Sequence, residues 1–139
     1  MPVIELLIAL NTQVGVGTTY AGEYVGRPLF CATPDNPLYY DATLPPWVAL
    51  PVSEYGHSWQ CGDLSKVTVY HADGTTEAFT AHALDAGPFG RHCVVTGDGC
   101  LPIVVDVPAH LVSFTSSARV EVVNLSAVAR DCRERGICD

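Results

Sequence analysis

Basic side chains are scarce in this 139-residue chain: seven Lys and Arg stand against fifteen Asp and Glu, a formal net charge of -8. Nucleic acid is thereby excluded as a partner, because its phosphates need a basic footprint. Anionic membrane surfaces are disfavoured on the same ground. Charged residues make up 16% of the chain and hydrophobic ones 48%, which excludes a disordered chain and leaves a globular one. No apolar run is long enough to span a bilayer. The run from Val3 to Leu10 has no Lys or Arg before it, carries Glu5 within it and lacks a convincing small-residue cleavage site after it. It therefore reads as the first buried strand and not as a signal peptide. A chain that opens this way is expected to have lost a leader or to act by another route, as part of a virus particle or after lysis. The expected location is accordingly extracellular or virion-associated. No repeat or low-complexity tract is evident, and residues 1–139 read as one domain.

A Cys-x-x-Cys pair is also missing, which disfavours zinc despite His92 and His110 lying near cysteines. No nucleophile-elbow motif supports a Ser-His-Asp triad, and no metal or cofactor is called for. Six cysteines are nevertheless present, at 31, 61, 93, 100, 132 and 138. Many for so short a chain, they fit a disulfide framework in an oxidising setting. Their spacing permits Cys93 to pair with Cys100 and Cys132 with Cys138, while the connectivity of all six stays open. In a reducing cytosol they would be small buried hydrophobes instead.

Residues 27–56 hold six of the ten prolines, together with Tyr39, Tyr40 and Trp47. Such a stretch reads as a long ordered surface loop. Its aromatics are candidates for stacking on sugar rings, or equally for closing the bottom of a small core. From Lys66 the pattern turns to strands. Lys66 to His71 alternates, Asp73-Gly74 marks a hairpin turn, and Thr76 to Leu84 returns. Arg91 to Val95, Leu101 to Val105 and Arg119 to Leu125 read as further strands. Two short helices are expected, Pro108 to Phe114 and Ser126 to Arg135, the second with Ser126 as N-cap and Gly136 as stop. The fold class is all-β with short helical segments.

Two of these strands end in an acid. Ala83-Leu84-Asp85-Ala86-Gly87-Pro88-Phe89 presents a carboxylate at a tight Gly-Pro corner, and Ile103-Val104-Val105-Asp106 presents another. In a purely structural reading Asp85 caps its own turn and Asp106 caps a helix opening at Pro108. In a functional reading they are a carboxylate pair.

Asp85-Ala86-Gly87-Pro88-Phe89 resembles the Asp-Arg-Gly-Pro-Phe motif of rare lipoprotein A-like double-psi β-barrels. Val105-Asp106-Val107-Pro108 sits where that family has Ile-Asp-Leu-Ser. Gly17-Thr18-Thr19-Tyr20-Ala21-Gly22 and Tyr24-Val25-Gly26-Arg27 resemble its opening motifs. Trp59-Gln60-Cys61-Gly62 through Val67 is similar to a segment of expansins and barwin-like proteins, with its second Cys absent. The resemblance covers roughly residues 17–124. It implies a six-stranded double-psi β-barrel, shared with family 45 glycoside hydrolases and MltA-type lytic transglycosylases.

By that resemblance Asp106 corresponds to a general acid and Asp85 to its charged neighbour, which would raise the proton affinity of Asp106 at short range. The implied ligand is a polysaccharide, above all peptidoglycan, with Tyr20, Tyr40, Trp47 and Trp59 as candidate binding residues. His82, His92 and His110 are weaker catalytic candidates. His82 lies three residues before Asp85, on the opposite face of any strand that does not bulge. Three polar positions of the family are lost: Trp47 stands for a His, Ala86 for an Arg, and the Thr-Ala-x-Gly-Glu stretch is not recognisable after Cys31. Those losses point to the alternative, a non-catalytic barrel with protein partners in a virion or surface assembly.

Overall fold

Alternating Val and Ala positions build the centre of the molecule. In the computed structural model, which describes residues 3–20, 26–39, 44–52, 58–87, 89, 92–114 and 117–138, the elements run α1 (Val3–Leu10), β1 (Thr12–Tyr20), β2 (Trp47–Pro51), β3 (Leu64–Tyr70), β4 (Thr76–Gly87), β5 (Cys93–Thr96), β6 (Gly99–Pro108), a 3-10 turn (Ala109–Leu111), β7 (Ser117–Asn124) and α2 (Leu125–Glu134). The strand order is β1-β7-β3-β4-β2-β6-β5, and a β1–β6 pairing closes the first six into a barrel, with β5 added outside on β6. Two neighbouring pairs are parallel, β1 with β6 and β2 with β4, and the other pairs are antiparallel.

A six-stranded barrel has a narrow interior, and the side chains that fill it are correspondingly small. Val48, Leu50, Val67, Val69, Ala81, Ala83, Val105, Val107, Val120 and Val122 form the core. In β3 the inward Ser65, Val67 and Val69 alternate with the outward Lys66, Thr68 and Tyr70. Where β1 crosses β6 even a methyl group is too large. A Cβ at Gly15 would collide with the Pro102 carbonyl oxygen, and one at Gly17 would lie 2.8 Å from Val120 Cγ1.

The run from Val3 to Leu10, expected as a buried strand, is a helix. Its Leu, Ala and Glu are strong helix formers, and Asn11 closes its last turn by donating from Nδ2 to the Leu7 carbonyl at 2.9 Å. Only Leu7 is buried, against Val123, Val128 and Cys132, whereas Val3, Ile4, Leu6, Ile8 and Leu10 are 40–52% exposed. The helix expected over Pro108 to Phe114 is reduced to the three-residue 3-10 turn.

The N-cap of α2 is Asn124, whose side chain accepts from the Ala127 N–H. Ser126, expected in that role, instead accepts from the Leu64 N–H at 2.8 Å. Gly136, with φ of 68°, stops the helix as expected. The Pro-rich stretch is interrupted by β2, which is buried throughout. Prolines suit only the ends of a paired strand, and here Pro46 precedes β2 and Pro51 terminates it.

All six cysteines are paired: Cys31–Cys61, Cys93–Cys100 and Cys132–Cys138, with Cα–Cα distances of 5.6, 5.4 and 5.2 Å. Three disulfides suit an oxidising compartment. Among the described residues no helix is long and apolar enough to cross a membrane. Thiol titration in denaturant is expected to find no reactive cysteine before reduction and six after it. Two or more free thiols in the unreduced protein would refute this pairing.

Candidate functional site

Ala49 of β2 is the register partner of Asp85 on one side and of Asp106 on the other. Asp106 in turn partners Thr18 of β1. Register partners share a face of the sheet, so Thr18, Asp106, Ala49 and Asp85 form one row on the outside of the barrel. Val48, Leu50, Val105 and Val107 point inward beside them. With strands about 4.8 Å apart, the two acids lie on strands roughly 10 Å apart. They flank one intervening strand.

A β-bulge puts Asp85 on that row. The register passes from Val48↔Ala83 to Ala49↔Asp85, which leaves Leu84 as the extra residue. Regular alternation from the buried Ala81 and Ala83 would have aimed Asp85 into the core. The bulge turns it outward, and Leu84 packs on the outer cluster of Leu29 and Trp47. β6 carries a matching shift: Val16 partners Ile103 and Gly17 partners Val105. Each acid thus follows a bulge in a strand of a parallel pair.

The environments of the two carboxylates differ. Asp106 is pushed up to about 6, first by burial and further by the charge of Asp85, against hydrogen bonds from Thr18 and the Val107 N–H that favour its ionised form. Thr18 Oγ1 donates to Asp106 Oδ1 at 3.0 Å. Asp85 Oδ1 accepts from the Phe30 N–H at 2.8 Å, which ties the 26–39 segment to the row. Asp106, expected in a structural reading to cap a helix at Pro108, does not do so: the 3-10 turn there has no side-chain cap.

The other expected residues fall in different places. Trp47 is 1% exposed, its ring packed with Leu29, so it offers no face to a sugar. Trp59 is half-buried, donates from Nε1 to the Pro51 carbonyl at 2.7 Å and lies 6.2 Å from the ring of Phe30. Tyr20 ends β1 opposite Pro108, and its side chain, like all of Tyr40, lies outside the described residues. The bulge brings His82 to the same face as Asp85, yet its Nδ1 is engaged by the Gly62 carbonyl at 3.0 Å. His92 and His110 are exposed.

No family model, curated protein or solved structure matches this chain. Function therefore rests on the site itself.

Two further polar groupings were not expected from the sequence. Ser113 Oγ donates to Glu77 Oε2 at 2.6 Å, and His71 Nε2 meets the same oxygen at 2.9 Å. A catalytic triad would need the acid on the other ring nitrogen of the histidine, so this trio anchors the β3–β4 hairpin to residue 113. Beside it lies a cavity of about 710 Å³ lined by Tyr70, Phe114, Arg119 and Glu121 among others, which neither Asp85 nor Asp106 reaches. The second grouping surrounds Asp63. Arg130 grips its carboxylate with both terminal nitrogens, at 2.6 and 2.9 Å, and Asn124 and the Gln60 N–H complete the shell. Among the described residues, no group of three or more His, Cys, Asp or Glu is placed to hold a metal ion.

Proposed function

We propose that this barrel is of the double-psi type and processes glycan, most naturally peptidoglycan outside the cell, in the manner of a lytic transglycosylase. Supporting the topology are the two parallel pairs, β1 with β6 and β2 with β4, each with a register shift. The observation that carries the chemistry is Asp106, a partly buried carboxyl on the outer face of the barrel whose proton is held to about pH 6. A general acid must be protonated at working pH and able to release its proton to a leaving oxygen. In this reading protonated Asp106 donates to the glycosidic oxygen. Thr18 orients its carboxyl group, and burial, with a smaller contribution from the charge of Asp85, keeps the proton on Asp106 before the donation.

The test is release of soluble muropeptides from purified cell walls across a pH series. Release should be greatest below about pH 6 and fall roughly tenfold for each unit above it, following the protonated fraction of one acid. A second reading, a non-catalytic barrel in a virion or surface assembly, draws on α1, whose five outward apolar side chains are unusual on an isolated soluble chain. That reading expects no release at any pH, so the same measurement separates the two.

A further inference from the structure

Phe30 is 63% exposed. The chain holds it there by anchoring both of its neighbours. Leu29 is buried against Trp47, and its N–H donates to the Leu38 carbonyl at 2.9 Å. Cys31 is also buried, donates its N–H to the Leu84 carbonyl at 3.0 Å and is cross-linked to Cys61. The N–H of Phe30 itself is fixed on Asp85. With the residues on both sides pinned inward and its own backbone tied to an acid of the row, the Phe30 side chain points out from a rigid base. Two residues before Cys61 stands Trp59, whose ring is tilted 60° to that of Phe30. The tilt sets the two rings at an angle, so Trp59 does not stack flat over Phe30.

We infer that Phe30, flanked by Trp59, is an aromatic platform that takes the face of a neutral pyranose ring beside Asp85. Three features fit that ligand. An aromatic ring stacks on the C–H face of a sugar without needing a charge, and its two side-chain torsions cost little entropy to fix. The acidic surface, with a net charge of -8, repels polyanions but not neutral or acetylated sugars. The platform also sits on the backbone that touches Asp85, so a glycan lying across the acids would meet it next. The inference rests on the glycan reading for its ligand but not on catalysis, and the disulfide through Cys31 belongs to the platform as its brace.

The test uses tri-N-acetylchitotriose as probe, titrated by calorimetry and by tryptophan fluorescence, in which Trp59 is the half-buried reporter. Wild type should bind, and Phe30→Ala should weaken binding at least tenfold with an unchanged melting temperature, since an exposed ring contributes little to the fold. Phe30→Tyr should bind as wild type. Wild type that fails to bind, or Phe30→Ala that binds as tightly as wild type, would overturn the inference. Binding that depends on Phe30 in a protein releasing no muropeptides would keep the platform and reject the catalytic reading. Release with an unaltered KM in Phe30→Ala would do the reverse.

Discussion

Asp106→Asn should make the protein more stable at pH 7.5 while eliminating muropeptide release. The wild-type carboxyl binds its proton more tightly in the fold, at about 6 against an ordinary 3.8, so ionising it costs folding free energy. That cost is absent below about pH 4, grows as the pH rises towards 6 and is complete above it, where it approaches roughly 3 kcal/mol. The amide is neutral at every pH and keeps an oxygen for the Thr18 hydroxyl. The variant should therefore melt several degrees higher at pH 7.5, on the order of 5 °C or more, with the gain vanishing near pH 4. Calorimetry at the two pH values measures this directly. A lower melting temperature at pH 7.5 would mean that the ionised carboxylate is a structural ligand, and the acid role would fall with it.

Asp63→Ala should have the opposite effect and a comparable size. Burial alone would raise the pKa of Asp63, but its bonds from Arg130, Asn124 and the Gln60 N–H outweigh burial and hold it below the usual carboxylate range. Such a group stabilises the fold above its unfolded pKa and loses that contribution as pH falls through the lower folded value. Removing it leaves four N–H donors without their acceptor and a half-buried guanidinium without its counter-charge, a change that costs about 3 kcal/mol. A fall of about 10 °C in melting temperature at neutral pH is expected. The paired substitution of Asp63→Leu with Arg130→Met should recover much of it, because an apolar pair avoids desolvating both charges. A fall of less than about 2 °C for Asp63→Ala would show that this cluster contributes little.

The carboxylate row is partly legible in the sequence. Both acids close β-branched or apolar runs, and the hairpin through Asp73-Gly74 follows from turn chemistry alone. The bulge at Leu84 is legible only as a condition: His82 and Asp85, three residues apart, share a face if the strand bulges, and nothing in Ala81 to Ala86 marks Leu84 as the extra residue. Thr18 lies in the Gly17 to Gly22 segment, yet its partnership with Asp106 depends on a parallel pairing across 88 residues. The helix over Val3–Leu10 reads as a strand in the sequence because a short run that is apolar except at Glu5 has no period to tell helix from strand. β2 was hidden among prolines that sit at its ends. Asp63 and Arg130 are 67 residues apart, a distance over which no local pattern reports contact.

The position of β1 governs the order in which this chain can assemble. Among the described residues, the strand partners of residues 12–20 are β6 and β7, which end at Pro108 and Asn124. On a ribosome the first strand must wait for these partners until residues 99–124 have emerged. Until then the β3–β4 hairpin and the short Cys93–Cys100 loop are the units that can form locally. Closure of the barrel is thus a late, non-local step that carries the loop-closure entropy of most of the polypeptide. Folding is expected to be slow for the size of the domain. A C-terminal truncation before residue 117 would leave an open sheet with two unsatisfied edges in place of a smaller barrel.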